Sequence, residues 1–235
     1  MRAVIIDVDA PGNEPFVNAW TAAARRDRGL ESRAMSHPAF DPRPIVLTGV
    51  GVSLEPLTLA HAGDLLAAGG DETTWAFMPR PALRSLADAE SMIRQALAEC
   101  EAGREVPFAI VERSTARAVG STRWLDIQRP HRGLEIGWTW IGPRWQRTAI
   151  NTECKLLLLR QAFDGLGAYR VTLKTDARNE RSQRAIERIG GVREGVLCRH
   201  RVCWDGFVRD TVYFGILDRD WPEVRKRLDA MLARR

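Results

Sequence analysis

The feature that most constrains the fold is a strand, a polar turn and a helix, followed at once by a second strand and helix. Residues 136–141 are typical of a strand, and residues 146–151 open a helix directly after it. Residues 171–175 form the next predicted strand, and Asn179 begins the next predicted helix. Because the first N–H groups of a helix lack partners within it, a helix start at the end of a strand predicts a pyrophosphate-binding site.

Hydrophobic periodicity predicts further helices and strands on both sides of this segment. The predicted strands cover residues 46–56 as a hairpin, 108–112, 119–125, 134–141, 170–175, 192–200 and 208–217. The predicted helices begin after Thr58, after Ser85, at Thr152, at Glu180 and at Trp221. Together these elements predict a mixed α/β (α+β) fold, with a central sheet of six or seven strands flanked by helices.

The chain divides into three predicted parts. Residues 1–44 are polar and interrupted by prolines, which predicts an N-terminal extension outside the main domain. Residues 45–220 carry the regular pattern of one domain, which is large enough to bury a core. Residues 221–235 form a last helix that docks either on the domain or on a partner, so a homodimer remains open.

Composition limits the class of protein. With 45% hydrophobic and 28% charged residues, the chain is typical of a soluble globular protein. No apolar run approaches the roughly 18 residues of a membrane-spanning helix. Asp7 and Asp9 follow the apolar residues 4–6 too soon for a signal peptide. We therefore expect a cytoplasmic protein that makes no membrane contact.

Cysteine and histidine spacing argues against a metal site. The four cysteines form no CxxC pair, and the four histidines are scattered along the chain. We expect free, reduced thiols, which suit the cytoplasm, and no bound metal.

The basic residues are almost all arginine. The net charge is +5, and of the 35 basic residues only Lys155, Lys174 and Lys226 are lysines. No stripe of basic residues interleaved with aromatics is visible, so specific nucleic-acid binding is not expected. Nonspecific attraction to RNA stays open, and the positive charge also suits a ligand with several phosphates, such as CoA.

A series of short motifs follows in a fixed order around the central segment. They are NTE-x-K at 151–155, RV at 170–171, KTD at 174–176, N-x-x-S at 179–182, AIER-x-G at 185–190 and EG at 194–195. On these residues the chain resembles the GNAT superfamily of N-acetyltransferases, and within it the branch of ribosomal-protein alanine N-acetyltransferases. The resemblance covers residues 46–221. Of the family's turn, Q/R-x-x-G-x-G/A, this chain keeps Gln146 but has Ala149 and Asn151 where the pattern has glycine or a small residue.

The resemblance implies both a fold and a reaction. The fold would be a mostly antiparallel GNAT-like sheet. The reaction would move the acetyl group of acetyl-CoA directly to a primary amine, within a ternary complex and without a metal. The acceptor would be a protein N-terminus or a small-molecule amine. Two alternatives stay open: a noncatalytic CoA-binding sensor or scaffold, and an arginine-rich protein associated with RNA.

The resemblance also implies a cofactor site on the strand, on the turn and at the second helix start. The strand would supply an oxyanion contact and pair with the pantetheine amides, while N–H groups of the turn would hold the pyrophosphate. Without a ligand, the turn would be a helix start capped by a side chain, from Thr148 or Asn151. The implied cofactor residues are Thr139, Trp140, Ile141, Gln146, Arg147, Thr148, Ala149, Ile150, Asn151, Thr152 and Asn179.

Glu135 is the candidate base. Strand alternation places it on one face with Thr139, and Trp138 on the other. A partly buried carboxylate there would remove the proton of an ammonium substrate. The alternative is a surface glutamate paired with Arg132 or Arg123.

Ser182 and Asn179 are candidates at the second helix start. The resemblance implies that Ser182 donates a hydrogen bond to the departing thiolate, and the alternative is an ordinary first-turn serine. Asn179 suits a helix N-cap and a cofactor contact at once. Many GNAT enzymes carry a tyrosine seven residues after the asparagine; that position here is Ile186, which excludes the tyrosine mechanism there.

Aromatic residues are the candidates for the acceptor site. The resemblance implies that the loop between the first two helices forms a wall of the acceptor site and that the strand with Trp124 faces it; the loop contains Trp75 and Phe77. We expect them to bind the substrate, with a place in the core as the alternative, because tryptophan is usually highly buried.

Overall fold

An eight-stranded sheet runs through residues 39–234, the part of the chain that the computed structural model describes. Its strands are β1 (Leu47–Thr48), β2 (Val52–Pro56), β3 (Val106–Glu112), β4 (Arg117–Gln128), β5 (Gly133–Ile141), β6 (Arg170–Asp176), β7 (Val192–Val202) and β8 (Val208–Leu217). The spatial order is β1-β2-β3-β4-β5-β6-β8-β7, in which β5 and β6 are parallel and the other neighbours antiparallel. The predicted mixed, mostly antiparallel sheet is confirmed, with slightly more strands than expected.

Helices flank the sheet as predicted. They are α1 (Ala62–Gly69), α2 (Leu86–Glu101), α3 (Ile150–Arg160, continued by a π-helical turn, Gln161–Gly165), α4 (Glu180–Arg188) and α5 (Trp221–Ala233). Local caps explain several starts: Ser85 Oγ accepts the N–H of Asp88 before α2, and Asn179 Oδ1 accepts the N–H of Ser182 before α4. No helix within the described residues is long and apolar enough to cross a membrane.

The two faces of the sheet are covered differently. On one face α3 and α5 pack over apolar strand residues, including Ile136, Leu173 and Phe214. On the other face α1 and α2 cover β3, β4 and the end of β5, where Ala109, Val111 and Trp140 meet them. The same face of β6, of β8 and of the start of β5 carries polar side chains.

Both ends of the described chain pack on this domain. Residues 1–38 of the predicted extension lie outside the described residues, but Phe40 is buried in the main core. At the other end the ring of Trp221 stacks on Phe163 at 5.3 Å, and its Nε1 donates to Asp164 at 2.6 Å. The last helix is thus docked on the domain.

The docking of α5 gives a stability prediction. Trp221 is 5% exposed, so Trp221→Ala should lower the free energy of unfolding by about 3–5 kcal/mol through lost burial and a cavity. Urea denaturation measures this change. Trp204→Ala is the control, because Trp204 is 59% exposed and its loss should have little effect. Equal losses for the two variants would contradict the packing of α5 described above.

Candidate active site

The pairing of β5 with β6 ends early and opens the sheet. Their ladder runs from Gly133 and Arg170 only to Glu135 and Thr172. Beyond it, in the described chain, residues 136–141 of β5 pair with β4, and residues 173–176 of β6 pair with β8. We call the space between these two segments the wedge. Its β5 edge can pair with the amides of an extended ligand.

A β-bulge interrupts β5 beside the wedge. Trp138 has φ +50°, and the register shifts here, with Arg123 opposite Gly137 but Ser121 opposite Trp140. Three steps along β5 thus match two along β4, which is the signature of one extra residue. The Trp138 ring stacks against Arg123, with the guanidinium carbon 4.5 Å from the ring centroid.

The bulge corrects the predicted facing of β5. Thr139 was expected on the face of Glu135, but its Oγ1 lies 2.8 Å from Thr122 Oγ1 and accepts Lys155 Nζ of α3 at 2.6 Å. The extra residue turns Thr139 toward α3 and leaves Trp138 beside Arg123 instead. Simple alternation was wrong from Trp138 onward.

Lys155 is a buried lysine that the sequence reasoning did not select. It is 6% exposed, and its ammonium donates to Thr139; within residues 39–234 it forms no ion pair with a carboxylate. Burial lowers the pKa of Lys155. A compositional signal for it existed, because only three lysines stand in this arginine-rich chain. Two of them, Lys155 and Lys174, lie at the wedge.

The turn after β5 is held by Gln146. Its amide donates to Ile141 O at 3.0 Å and accepts Arg181 Nη1 of α4 at 2.9 Å. This side chain therefore ties the strand end, the turn and the far side of the wedge together. Arg147 follows with φ +61°, whereas Ala149 has an ordinary helical conformation at φ −66°.

The start of α3 leaves main-chain donors available. Thr148 Oγ1 donates to Trp145 O at 2.7 Å and accepts the N–H of Ile150 at 3.3 Å. The first helical main-chain bond in this turn runs from Glu153 N–H to Ala149 O. Among the described hydrogen bonds none uses the N–H groups of Asn151 and Thr152. They are the kind of donors that bind phosphate.

Several predicted cofactor residues offer only their main chain. Trp140 is 4% exposed and packs on Trp75 at 4.8 Å between ring centroids, and Ile141 lies in the core. Ile150 and Thr152 are also buried, and Thr152 Oγ1 accepts Arg188 Nη2 at 3.2 Å. Contacts of these four residues with a ligand would have to be made by the backbone.

A cavity of about 1000 Å³ borders the same turn on the side away from Glu135. Thr148, Ala149 and Ile150 line it together with the β3–β4 turn, including Arg113. Because it contains neither Glu135 nor Asn179, we assign no chemistry to it.

Glu135 is buried on the face opposite α3. Its side chain is 4% exposed and pairs with Lys174 Nζ of β6 at 2.6 Å. Burial raises the pKa of Glu135, and the charge of Lys174 opposes that rise. The alternative of a surface glutamate is wrong, because Glu135 is buried and its ion pair is with Lys174. Arg123 pairs with Glu105 at 2.7 Å, and Arg132 donates to backbone carbonyls.

Gly137 keeps the space beside this carboxylate. A Cβ at position 137 would lie 2.7 Å from Glu135 Oε1, which is closer than real Cβ atoms approach other atoms. Any larger residue would therefore displace the carboxylate. The glycine lets Glu135 lie flat along the β5 edge of the wedge.

The second helix start lies on the other side of the wedge. Asn179 caps α4 as predicted, with its Oδ1 3.0 Å from Ser182 N. Ser182 is half-buried in the first turn, and Ile186 is buried. Arg184, a weaker cofactor candidate, pairs with Glu180 on the exposed face of the helix.

The predicted acceptor residues separate into two groups. Phe77 lines a cavity of about 330 Å³ together with Thr73, Arg178 and Asn179, at the helix-start side of the wedge. Trp75 and Trp124 are 3% and 0% exposed and belong to the two core clusters. Their burial favours the core alternative for both.

Within residues 39–234 no group of three or more His, Cys, Asp or Glu side chains is arranged to hold a metal ion.

The burial of Lys155 gives a pH prediction. The pKa of a lysine in the unfolded chain is about 10.4. Burial lowers the pKa of Lys155 in the folded protein. At a pH between these two pKa values the folded state therefore binds fewer protons than the unfolded state. Burying the charged amine lowers the free energy of unfolding. This loss is absent above about pH 10.4, where the amine is neutral in both states, and it grows as the pH falls toward the pKa of Lys155 in the folded protein. Urea denaturation from pH 7 upward should show wild type gaining stability relative to Lys155→Met as pH rises.

Lys226→Met is the matched control for that series. Lys226 is 74% exposed at its side chain, so its removal should leave the pH dependence of wild type unchanged. Parallel stability curves for wild type and Lys155→Met would show that the buried amine is not titrating as the fold suggests.

Comparison with known proteins places this geometry in a family. The family described as "Acetyltransferase (GNAT) domain" matches residues 52–192, more than half of the chain. "Putative ribosomal N-acetyltransferase YdaF" of Bacillus subtilis is 32% identical over 96 residues, covering 41% of this chain and 51% of that protein. The chain thus spans about half the length of that curated relative.

Two longer matches agree. "Uncharacterized N-acetyltransferase YoaA" of Bacillus subtilis is 28% identical over 135 residues, covering 57% of this chain and 75% of that protein. A crystal structure of a GCN5-related N-acetyltransferase from Brucella melitensis has a TM-score of 0.77 at 28% identity, covering 83% of this chain and 88% of that one. The strand wedge, the helix starts on both sides of it and the family match agree: this chain belongs to the GNAT acetyltransferase family.

Proposed function

We propose that the protein is an N-acetyltransferase that transfers the acetyl group of acetyl-CoA to a primary amine, directly and within a ternary complex. The observation that carries the proposal is the buried Glu135 at the point where the β5–β6 ladder ends, on the strand whose unpaired edge leads to the phosphate-type turn. The acceptor is an amine of a protein N-terminus or of a small molecule.

The cosubstrate would lie along the wedge. Main-chain N–H groups of residues 147–152 and the positive end of α3 would hold the pyrophosphate. The pantetheine amides would pair with residues 139–141 of β5, whose outer edge has no strand partner in the described chain. Asn179 and Ser182 would meet the thioester end from α4.

The transfer itself needs few groups. The amine nitrogen attacks the thioester carbon, the C–S bond breaks, and the amine proton passes to Glu135 directly or through water. A main-chain N–H of β5 would stabilise the oxyanion, a contact whose removal in other enzymes costs about 10²–10³-fold in rate. Ser182 would donate a hydrogen bond to the departing thiolate.

The environment of Glu135 suits a base. A buried carboxylate with a raised pKa accepts a proton more readily than an exposed one. Lys174 opposes that rise, because its ammonium favours the ionised form of the carboxylate. The two effects together tune one side chain for proton removal.

The cytoplasm is the proposed location. The four cysteines are free thiols, and Cys154 is wholly buried with its pKa raised to about 11 by burial. Unpaired cysteines suit a reducing compartment.

Acetyl-CoA binding tests the site placement. Acetyl-CoA should raise the thermal midpoint by mass action, and Arg147→Glu should reduce this shift by repelling the pyrophosphate. Arg160→Glu is the matched control, because it makes the same charge change at the far, exposed end of α3. An intact shift for Arg147→Glu would show that the phosphates bind elsewhere.

CoA thiol release over a panel of amines tests the reaction, and pH profiles test the base. Glu135→Gln should lower kcat/KM by about 10²-fold or more near pH 6, with partial recovery toward pH 9. Recovery is expected because solvent deprotonates the acceptor at high pH and the base is then needed less. Ser182→Ala should lower kcat/KM by a smaller factor, and by the same factor at every pH, because the hydrogen bond from Ser182 to the thiolate does not depend on the ionisation of the amine.

Lys174→Met separates the base from a structural carboxylate. Without the ammonium the pKa of Glu135 should rise further, so the acidic limb of the kcat/KM profile should move to higher pH. An unchanged profile in both Glu135→Gln and Lys174→Met would remove Glu135 from the mechanism. Acetyl-CoA binding without thiol release for any amine would favour a noncatalytic CoA-binding domain.

A further inference from the structure

Arg209 is a buried arginine on the polar face of β8, which helices α1 and α2 do not cover. It is 7% exposed, and its Nε donates to Thr211 Oγ1 at 3.0 Å. Along β8 it shares a face with Thr211 and Tyr213, which lie opposite Asp176 and Lys174 in the register with β6. This is the face that carries Glu135, so Arg209 belongs to the same surface as the proposed base.

Two buried acids of this surface have ion-pair partners. Glu135 binds Lys174 at 2.6 Å, and Asp176 binds Arg178 at 2.8 Å. Arg209 and its neighbour Arg201 form no ion pair with any described residue. Asp176 attracts Arg209 electrostatically, but among the described residues neither guanidinium has a carboxylate as a direct ion-pair partner.

The other acids of the β7–β8 hairpin also have partners. Asp205 accepts the N–H of Phe207 at 3.0 Å, and Asp210 accepts the N–H of Arg199 at 2.6 Å. Both carboxylates hold the backbone of the turn and of the bulge in β7. They are therefore occupied in shaping the hairpin.

Arg201 and Arg209 are moreover a like-charged cross-strand pair. They lie directly opposite each other in the β7–β8 register. Such pairs destabilise a sheet, and burial adds a further penalty for the charge. Burial is the main cause that lowers the pKa of Arg209; the charge of Asp176 opposes it, and the charge of Arg201 adds a smaller effect in the direction of burial. An anion between the two guanidinium groups would remove this penalty.

We propose that Arg209, assisted by Arg201, binds a carboxylate or phosphate carried by the acceptor amine. The planar guanidinium of Arg209 suits two parallel hydrogen bonds to the oxygens of a carboxylate or phosphate. Bound there, the group would orient the amine toward Glu135 across the same face. The inference rests on the proposed acetyltransferase function and narrows its acceptors to amines that carry an anionic group.

Two sources of the anion share this chemistry. One is a small molecule with an amine and a carboxylate or phosphate, and the other is a peptide N-terminus followed by an acidic residue. Three acceptor pairs distinguish the sources; each removes the anionic charge, and the second pair removes the phosphate group with it. They are an amino acid and its amide, phosphoethanolamine and ethanolamine, and two peptides that differ by Asp or Asn at the second position.

CoA release with each pair gives the test. Wild type should favour the anionic member of at least one pair by about 10-fold or more in kcat/KM, mainly through KM, because hydrogen bonds between ions are the stronger kind. Arg209→Gln should reduce this preference to about threefold or less while leaving the neutral member unchanged. Arg209→Lys should keep part of the preference, because the positive charge remains but the planar guanidinium, which can form two parallel hydrogen bonds, is lost.

Arg219→Gln is the matched control. Arg219 is an exposed arginine in the turn after β8, away from the wedge, so its loss should leave every preference intact. Arg209→Gln should change the thermal midpoint little, because Arg209 has no direct ion-pair partner among the described residues and Asp176 stays paired with Arg178. A lower midpoint with equal losses for both members of a pair would show a merely structural role and overturn the proposal.

Other outcomes separate this inference from the proposed function. Equal turnover of the anionic and neutral members in wild type would overturn the anion site while leaving the acetyltransferase in place. If no amine releases CoA, the proposed function fails. In that case calorimetric titration of the CoA-bound protein with phosphoethanolamine and ethanolamine decides the anion site. Equal or absent binding in wild type overturns it, and binding of the phosphate alone, lost in Arg209→Gln, supports it.

Discussion

The early end of the β5–β6 ladder is the constraint on which the rest of the site depends. Each strand keeps a partner on its other side, β4 for β5 and β8 for β6, so the sheet can open without losing either strand. Helix α3 begins after the open end of β5 and helix α4 after that of β6. Both helix starts therefore face the same space, and their free N–H groups and dipoles make it favourable for an anion.

The bulge at Trp138 gives the two sides of β5 different roles. It turns Thr139 toward α3, where Lys155 holds it, and sets Trp138 on Arg123. A lysine buried without a carboxylate is unfavourable for folding, yet its bond fixes the strand segment that would carry the oxyanion donor. That combination is expected where local stability is given up for the geometry of a site.

Much of this could be read from the sequence because the signals are local. Periodicity located the helices, and Asn179 was identified as a cap from its neighbours alone. The facing of Thr139 could not be predicted, because one extra residue in a strand inverts every later side chain and leaves no compositional trace. The Glu135–Lys174 pair and the burial of Trp75 and Trp124 depend on contacts between distant strands. Those contacts exist only after the sheet has formed.

The polar face of β5, β6 and β8 has a definite order of charge, and this order bears on how an acceptor would be held. Glu135 lies at the wedge with Lys174 beside it, and Arg209 lies farther along β8. An incoming ammonium would compete with Lys174 for the carboxylate, since both are cations seeking the same partner. An acceptor with an anionic group would avoid a net repulsion, because that group meets Arg209 while its amine meets Glu135. Such an acceptor would contact both Glu135 and Arg209, whereas an amine without an anionic group would contact Glu135 alone.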